Sequence, residues 1–393
     1  MRILLIKGLS QYDATRLFIE DAAAAFQRAG WDAVVVDVEK ADRELDYLGQ
    51  VVAGQRFDLA YSIGLFGERR DTAGRSLAEI VGAPHVVQYV DYPLSHYFRL
   101  NDTPAATVLL TVDPTHADAV RSVYGEGRFA HVAFSPHAAL GEPHASEGDP
   151  EQFLAARDIP ILFPGSFYKP GPPMWEQLPP ATRKVFEAAV EIALGQEFIP
   201  ALEAFDQALA QYGGHLAPAA RADFRVNAFA VHERVRQHRR FELLKAAARA
   251  RLPVQVVGGG YDRDLYRFKN VTHLGAQSLD EVIALMRRSR VVLNVNANFG
   301  RGSHERPLTA MVAGAVAASD ASSFYADNFG PEAMVQFEWM RLDDGLQALA
   351  ALLDDPQRMV AIARAGHAKA VAGHRWDSRV AGIVAAAQAA RAA

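Results

Sequence analysis

Short apolar runs and amphipathic stretches take turns along the first third of the chain. RILLIKG at the start is an apolar run ending on a glycine, and reads as a buried strand. AVVVDV (33–38), DLAYSI (58–63), PHVVQYV (84–90) and ATVLLTV (106–112) repeat the pattern. After the first run, Phe18, Ala22, Ala25, Phe26 and Ala29 share one helical face until Gly30 stops it. Further helical stretches near 42–53, 72–82 and 114–124 separate the strands. Strands alternating with helices predict a parallel sheet covered on both faces.

The alternation then breaks. Residues 135–158 are rich in Pro, Gly, His and acidic residues, which predicts a linker over 141–158 between a first domain, 1–140, and a second, 159–375. The second opens on the strand IPILFPGSF. Residues 171–250 follow, Ala-rich and of helical period, and read as a helical insertion. Strands return with LPVQVVGGG (252–260), a short one near 271–274, and RVVLNVNAN (290–298). Between the last two, SLDEVIALM carries a capping box, Ser278 with Glu281, and an apolar stripe of Leu279, Val282, Ile283 and Met286. The tail from 341 is mostly helical. Its end, 376–393, sets Val380, Ile383, Val384 and Ala387 at helical spacing, an apolar stripe that requires a docking surface.

Length and composition agree with this plan. The chain has 393 residues, too many for one ordinary core, and half are apolar. A net charge of -5 gives no reason to expect a nucleic-acid partner. Without cysteine, disulfides and thiolate chemistry are excluded. The N-terminal apolar run is too short for a signal peptide, and no stretch approaches the ~20 apolar residues of a membrane helix, so the expectation is a cytoplasmic protein with no transmembrane segment. Thirteen histidines raise the question of a metal, but none pairs at helical spacing beside a carboxylate, and no metal site is expected.

Chemistry concentrates at SHERPLTAMVAGAVAASD (303–320). A glycine-bearing loop, ANFGRGSHER, leaves the strand VVLNVN. Pro307 suits the first position of a short helix, Gly314 its left-handed stop, and AVAAS the next strand. His304, Glu305 and Arg306 then sit on a strand-to-helix turn. In parallel α/β sheets, ligands bind beyond the C-terminal ends of the strands. A helix N-terminus suits phosphate, Arg306 can pair with phosphate oxygens, and Glu305 can accept from sugar hydroxyls. The bland alternative is a cap at Ser303 or Glu305 and a surface ion pair at Arg306.

The segment LNVNANFGRGSHERPLTAMVAGAVAASD resembles the donor site of GT-B glycosyltransferases, and more narrowly the bacterial spore-maturation-protein-like family. FPGSF (163–167), VVGGG, VTHLG and VDYPLSHYFRL extend the resemblance. It implies two Rossmann-like domains facing a cleft, the second holding a nucleotide sugar such as a UDP or GDP sugar, the first an acceptor. It implies that the donor segment, Arg301, Gly302, Ser303, His304, Arg306 and Thr309, meets the diphosphate and sugar. Gly165 and Ser166 would close on the phosphates, and Gly258, Gly259 and Gly260, with His273, Leu274 and Gly275, would line the base. It further implies no cofactor beyond the donor, no catalytic metal, and a C-terminal helix that crosses back to the first domain. One departure stands out. Many retaining members carry a Glu-x7-Glu pair; here those positions are Arg301 and Thr309, which leaves the stereochemistry open and gives Glu305 a hydroxyl-binding role.

On the acceptor side, Asp91 and His96 in VDYPLSHYFRL are candidates to take a proton from the acceptor hydroxyl; the alternatives are a helix cap and a packed ring. Asp113 in TVDPTH reads as a cap. Lys7 and Ser10 flank the turn at Gly8, where a solvated lysine is the plainer account. The basic run VHERVRQHRRFELLK (231–245) reads as a solvated helix face; the sharper alternative is a contact with an acidic acceptor or a membrane surface. The expected function is sugar transfer to a glycan, protein or small molecule; the alternatives are a nucleotide-sugar epimerase and a non-catalytic sugar- or nucleotide-binding protein.

Overall fold

A computed structural model describes residues 1–8, 14–39, 44–64, 70–144, 148–166, 171–260, 267–296 and 298–392. Ser10 and the last residue of FPGSF, Phe167, lie outside them. The chain divides into two units: 1–140 with 374–393, and 141–373.

The first unit is a six-stranded sheet of β1 (Arg2–Lys7), β2 (Asp32–Asp37), β3 (Leu59–Ile63), β4 (His85–Tyr89), β5 (Thr107–Thr111) and β6 (His131–Phe134), all parallel in the order β2-β1-β3-β4-β5-β6. Its helices are α1 (Ala14–Arg28), α2 (Glu44–Val51), α3 (Leu77–Val81), α4 (Tyr97–Asp102) and α5 (Pro114–Tyr124). Strands β3, β4 and β5 are buried along their whole length, as a sheet covered on both faces requires. The sequence reading passes over β6, an edge strand whose HVAF is only half-buried, so no apolar run marks it. It also overextends the helix near 72–82: the capping box Ser76–Glu79 starts α3 at Leu77, and Gly82, at φ 67°, ends it. Asp113 caps α5, accepting from the Thr115 amide at 2.8 Å.

The second unit repeats the plan with β7 (Ile159–Pro164), β8 (Val254–Val257), β9 (Val271–His273), β10 (Ser289–Asn294), β11 (Val316–Asp320) and β12 (Val335–Phe337). All are parallel, in the order β12-β11-β10-β7-β8-β9. Read outward from β7, this is the Rossmann order, and the direction of winding reverses between β7 and β10. The helices are α6 (Pro150–Ala156), α7 (Pro180–Leu194), α8 (Ala201–Tyr212), α9 (Pro218–Phe224), α10 (Ala228–Arg249), α11 (Leu279–Arg287), α12 (Glu305–Val312), α13 (Ser323–Asn328), α14 (Leu342–Leu353) and α15 (Pro356–Gly373). Helices α7 to α10 lie between β7 and β8 in the chain, and an aromatic set joins α7, α8 and α9: Trp175 stacks on Phe186 at 5.0 Å, and Phe186 meets Phe205 and Phe224.

The expected linker 141–158 differs from the structure. It contains α6, which Asp149 caps and Pro150 starts, and whose Phe153 is fully buried in the core of the second unit. Pro and acids here open a helix rather than a flexible connection. Just beyond it Arg157 is fully buried and donates to the carbonyls of Arg287, Ser289 and Ala313, so one guanidinium satisfies the C-terminal ends of α11 and α12.

The chain's last helix, α16 (Val380–Ala392), belongs to the first unit and packs on β4, β5, β6 and α1. Ile383 is fully buried there, with Val380, Ala386 and Ala387 beside it. The Arg379 guanidinium donates to the carbonyls of His137 and Pro136, and Arg28 forms a two-point pair with Asp377.

Candidate functional site

The loops that leave β7, β8 and β9 at their C-terminal ends meet in the second unit. Gly258 is bound into this meeting. Its φ is 144°, and a Cβ built there would lie 2.3 Å from the Gly165 carbonyl oxygen, so only glycine permits the approach. The Gly165 amide donates to Val257 O at 2.8 Å, the Gly258 amide to Gly275 O at 2.9 Å, and the Leu274 amide to Val256 O at 2.9 Å. The Gly259 amide approaches Ser166 Oγ at 3.4 Å. Six expected donor-site residues, Gly165, Ser166, Gly258, Gly259, Leu274 and Gly275, are thus knitted together. Gly260 follows, exposed and at φ 79°. His273, the last residue of β9, is half-buried, and burial lowers the pKa of its ring.

Across the reversal point lies the 303–306 turn. Helix α12 begins at Glu305, with His304 as its N-cap residue and Pro307 third, two places later than the sequence predicts. The cause is the His304 amide, which is drawn outward by Asn296 Oδ1 at 2.9 Å and by Tyr325 Oη at 3.1 Å. A proline at the third position costs nothing, because that amide has no partner inside a helix. Neither Ser303 nor Glu305 is the cap residue. Ser303 is fully buried, and its hydroxyl has no hydrogen-bond partner among the described residues.

The three ionisable side chains pair with one another. Arg306 Nη2 meets His304 Nε2 at 2.7 Å, which makes that ring nitrogen an acceptor and leaves the proton on Nδ1, where it faces Glu305 Oε2. An Nδ1 that carries a proton cannot accept from the Arg306 amide, 3.5 Å away. Burial first, then the Arg306 charge, push the His304 pKa down to about 4, so the ring is neutral near pH 7. Arg306 is buried; its Nη1 donates to Pro164 O at 2.8 Å, and Glu305 Oε1 lies 3.8 Å from its Nε. The fork expected to face phosphate is therefore largely engaged within the protein. Arg301 is exposed, Gly302 is buried, and Thr309 is buried one turn into α12.

The sequence reading misses two cations that complete this rim. Arg240 and Arg236, four apart on α10, come from the run read as a solvated face. Arg240 Nη1 donates to Ser166 O at 3.1 Å, two residues from the carbonyl that Arg306 holds. Arg236 pairs with Glu233 at 2.5 Å, yet its Nε is buried and makes no hydrogen bond among the described residues. The charge of Arg240 acts on His304 and that of Arg236 on Arg306. The i, i+4 repeat of arginine was the available signal, masked by the other arginines of the same run, Arg234 and Arg239. Three guanidinium groups, a neutral histidine, two glutamates (Glu305 and Glu233), a buried hydroxyl and a helix N-terminus converge beyond the C-terminal ends of β7 and β10. Such an arrangement attracts a multiply charged anion such as a diphosphate.

The other candidates belong to the first unit. Asp91 is exposed just past β4 and caps no helix; a 3-10 turn, Pro93–His96, follows. His96 is half-buried, its ring 6.1 Å from that of Tyr89. Next to Asp91, His116 is buried against Tyr92 at 5.1 Å, and burial lowers its pKa to about 4. Lys7 pairs with Glu20. Among the described residues no three His, Asp or Glu side chains group as metal ligands would, and no helix is long and apolar enough to cross a membrane.

Residues 236–385 match the family described as "Glycosyl transferase-like". No curated protein matches the sequence. Solved structures do match over nearly the whole length. A sucrose-phosphate synthase from Thermosynechococcus elongatus is 12% identical, with a TM-score of 0.54 over 98% of this chain and 96% of that one. HepE from Anabaena, in complex with UDP and glucose, is 12% identical, with a TM-score of 0.51 over 99% and 97%. An alpha-glucosyltransferase in complex with UDP-glucose and DNA is 10% identical, with a TM-score of 0.53 over 95% and 96%. The chain has the GT-B fold of these enzymes.

Proposed function

We propose that the chain is a glycosyltransferase that moves a sugar from a nucleotide-sugar donor to an acceptor, and that the second unit holds the donor's diphosphate where β7 and β10 diverge. The observation that carries this reading is the convergence of Arg236, Arg240, Arg306 and the buried Ser303 hydroxyl on the Pro164–Ser166 turn and the start of α12. The family match supports it, because residues 236–385 take in both α10 arginines and the 303–306 turn. So do structural neighbours whose own complexes contain UDP with glucose, or UDP-glucose.

In this reading the leaving diphosphate accumulates charge as the glycosidic bond breaks, and guanidinium groups fixed in a partly dry rim stabilise it without a metal ion. Arg240 and Arg236 meet the phosphates directly. Glu305, oriented by His304, accepts from hydroxyls of the donor. The glycine loops at Gly258–Gly260 and Leu274–Gly275 leave room for the base. Asp91 takes the proton from the acceptor hydroxyl. The 303–314 segment further suggests the spore-maturation-protein-like branch of these enzymes.

The experiment is a thermal-shift screen with UDP, GDP, ADP and their sugars, followed by product analysis with and without added acceptors. Stabilisation by one diphosphate, with its release from the matching sugar donor only when an acceptor is present, is expected. Conversion of the nucleotide sugar without any acceptor would indicate an epimerase instead, and binding without turnover a carrier.

A further inference from the structure

The 303–306 turn is shaped by a residue that does not itself reach the rim. Asn296 lies just past β10 and is 1% exposed. Its amide group is used on both sides. Oδ1 accepts from the His304 amide at 2.9 Å and from the Tyr325 hydroxyl at 2.9 Å, while Nδ2 donates to Phe299 O at 2.6 Å and Gly302 O at 3.4 Å. One side chain thereby ties together residues 299, 302 and 304. Asn296 is held in turn. Its backbone amide donates to Asp320 Oδ1 at 2.5 Å, and Asp320, fully enclosed at the end of β11, also accepts from Ser319 Oγ and from Trp339 Nε1. Tyr325 closes a triangle, because its hydroxyl oxygen accepts from the same His304 amide that Asn296 binds.

We infer that Asn296 and Tyr325, anchored through Asp320, are positioning residues that set where His304 and Arg306 stand in the anion site. The inference rests on the diphosphate-site reading above. Its physical basis is that a loop bearing three glycines or small residues, 298–303, has little conformational preference of its own. Without the Asn296 template the His304 amide has no fixed direction, and the His304–Arg306 contact loses its register. A buried hydrogen-bonded network of fixed directions gives that rigidity, which an apolar core at the same place would not.

A double-mutant cycle tests this on the full chain. Tyr325→Phe removes one oxygen and keeps the buried ring; Asn296→Ala removes the template itself. Affinity is measured by titration calorimetry for the diphosphate that binds the parent protein (UDP, GDP or ADP), and for its nucleoside. Tyr325→Phe is expected to weaken the diphosphate by about fivefold and leave the nucleoside within about twofold. The same change made in a His304→Ala background should add little, because its route is already lost. Made in an Arg240→Ala background, on a separate helix, it should multiply. A Tyr325→Phe protein that binds diphosphate like the parent, or a loss that is equal in both backgrounds, overturns the inference while the donor site stands. A parent protein that binds none of the three diphosphates overturns the donor-site reading, and this inference with it. Should Asn296→Ala fail to fold, the Tyr325→Phe cycle alone decides.

Discussion

Arg306 and Pro164 are joined across the point where the second sheet reverses its winding: the guanidinium Nη1 donates to the last carbonyl of β7 at 2.8 Å. Arg306 is therefore a tie between the two loops that form the site, as well as a charge within it. Arg240 holds the same turn through Ser166 O, but from a half-buried position.

The two arginines should separate by experiment. Arg306→Ala takes a donor from the Pro164 carbonyl and from His304 Nε2 in a buried place, so it should lower the melting temperature by about 5 °C or more as well as weaken diphosphate binding. Arg240→Ala should weaken diphosphate binding by about tenfold or more with a much smaller thermal effect. Melting curves and titration calorimetry on both variants check this; an Arg240 variant with parental affinity removes that residue from the site.

Gly258→Ala should damage the glycine-loop junction. The new methyl would meet backbone, the Gly165 carbonyl, which has no side-chain freedom to yield, and φ at 144° adds strain. A loss of about 2 kcal/mol or more is expected in denaturant unfolding. Gly275→Ala, at φ 78° but in open space, should cost only about 1 kcal/mol.

Stability should fall as the medium turns acidic, and the sign follows from buried histidines. His116, His304 and His374 are lowered to about 4 and His85 to about 3, burial being the first cause in each. Unfolded histidine takes up its proton near pH 6.5. Between that pH and the folded values the unfolded chain binds more protons, so each group removes up to about 1.4 kcal/mol per pH unit as pH drops, and none acts above 6.5. Asp320, raised by its burial, works in the opposite direction at the acid end. Melting temperature should be level from pH 8 to 7 and decline from 6.5 to 4.5. His85, whose Nε2 sits 2.9 Å from Ser62 Oγ, offers the control: His85→Gln should make the decline shallower.

Ile383→Ala should destabilise by about 2–4 kcal/mol, the cost of a cavity at a fully buried aliphatic site. Deleting 376–393 should be worse, and should expose apolar surface on β4, β5 and β6 to a hydrophobic dye. Unchanged dye binding in the truncated protein would contradict the packing described for α16.

Local pattern alone settled much of this protein. Buried parallel strands announce themselves as continuous apolar runs, so β1, β3, β4, β5, β7, β8, β10 and β11 were legible, as were the capping box at Ser278 and the stop at Gly314, whose φ is 79°. The strand-to-helix turn that carries His304, Glu305 and Arg306 was legible too, from the glycines that follow one apolar run and the proline that precedes the next. Edge strands β6 and β12 were not, since half-burial removes the apolar signal. Nor was the direction of Arg306, the arrival of Arg236 and Arg240 from a helix more than 60 residues upstream, or the hold of Asn296 and Tyr325 on the His304 amide. Those depend on which loops the strand order brings side by side. Strand order is chosen by the packing of whole elements against one another, and no local pattern of residues encodes it.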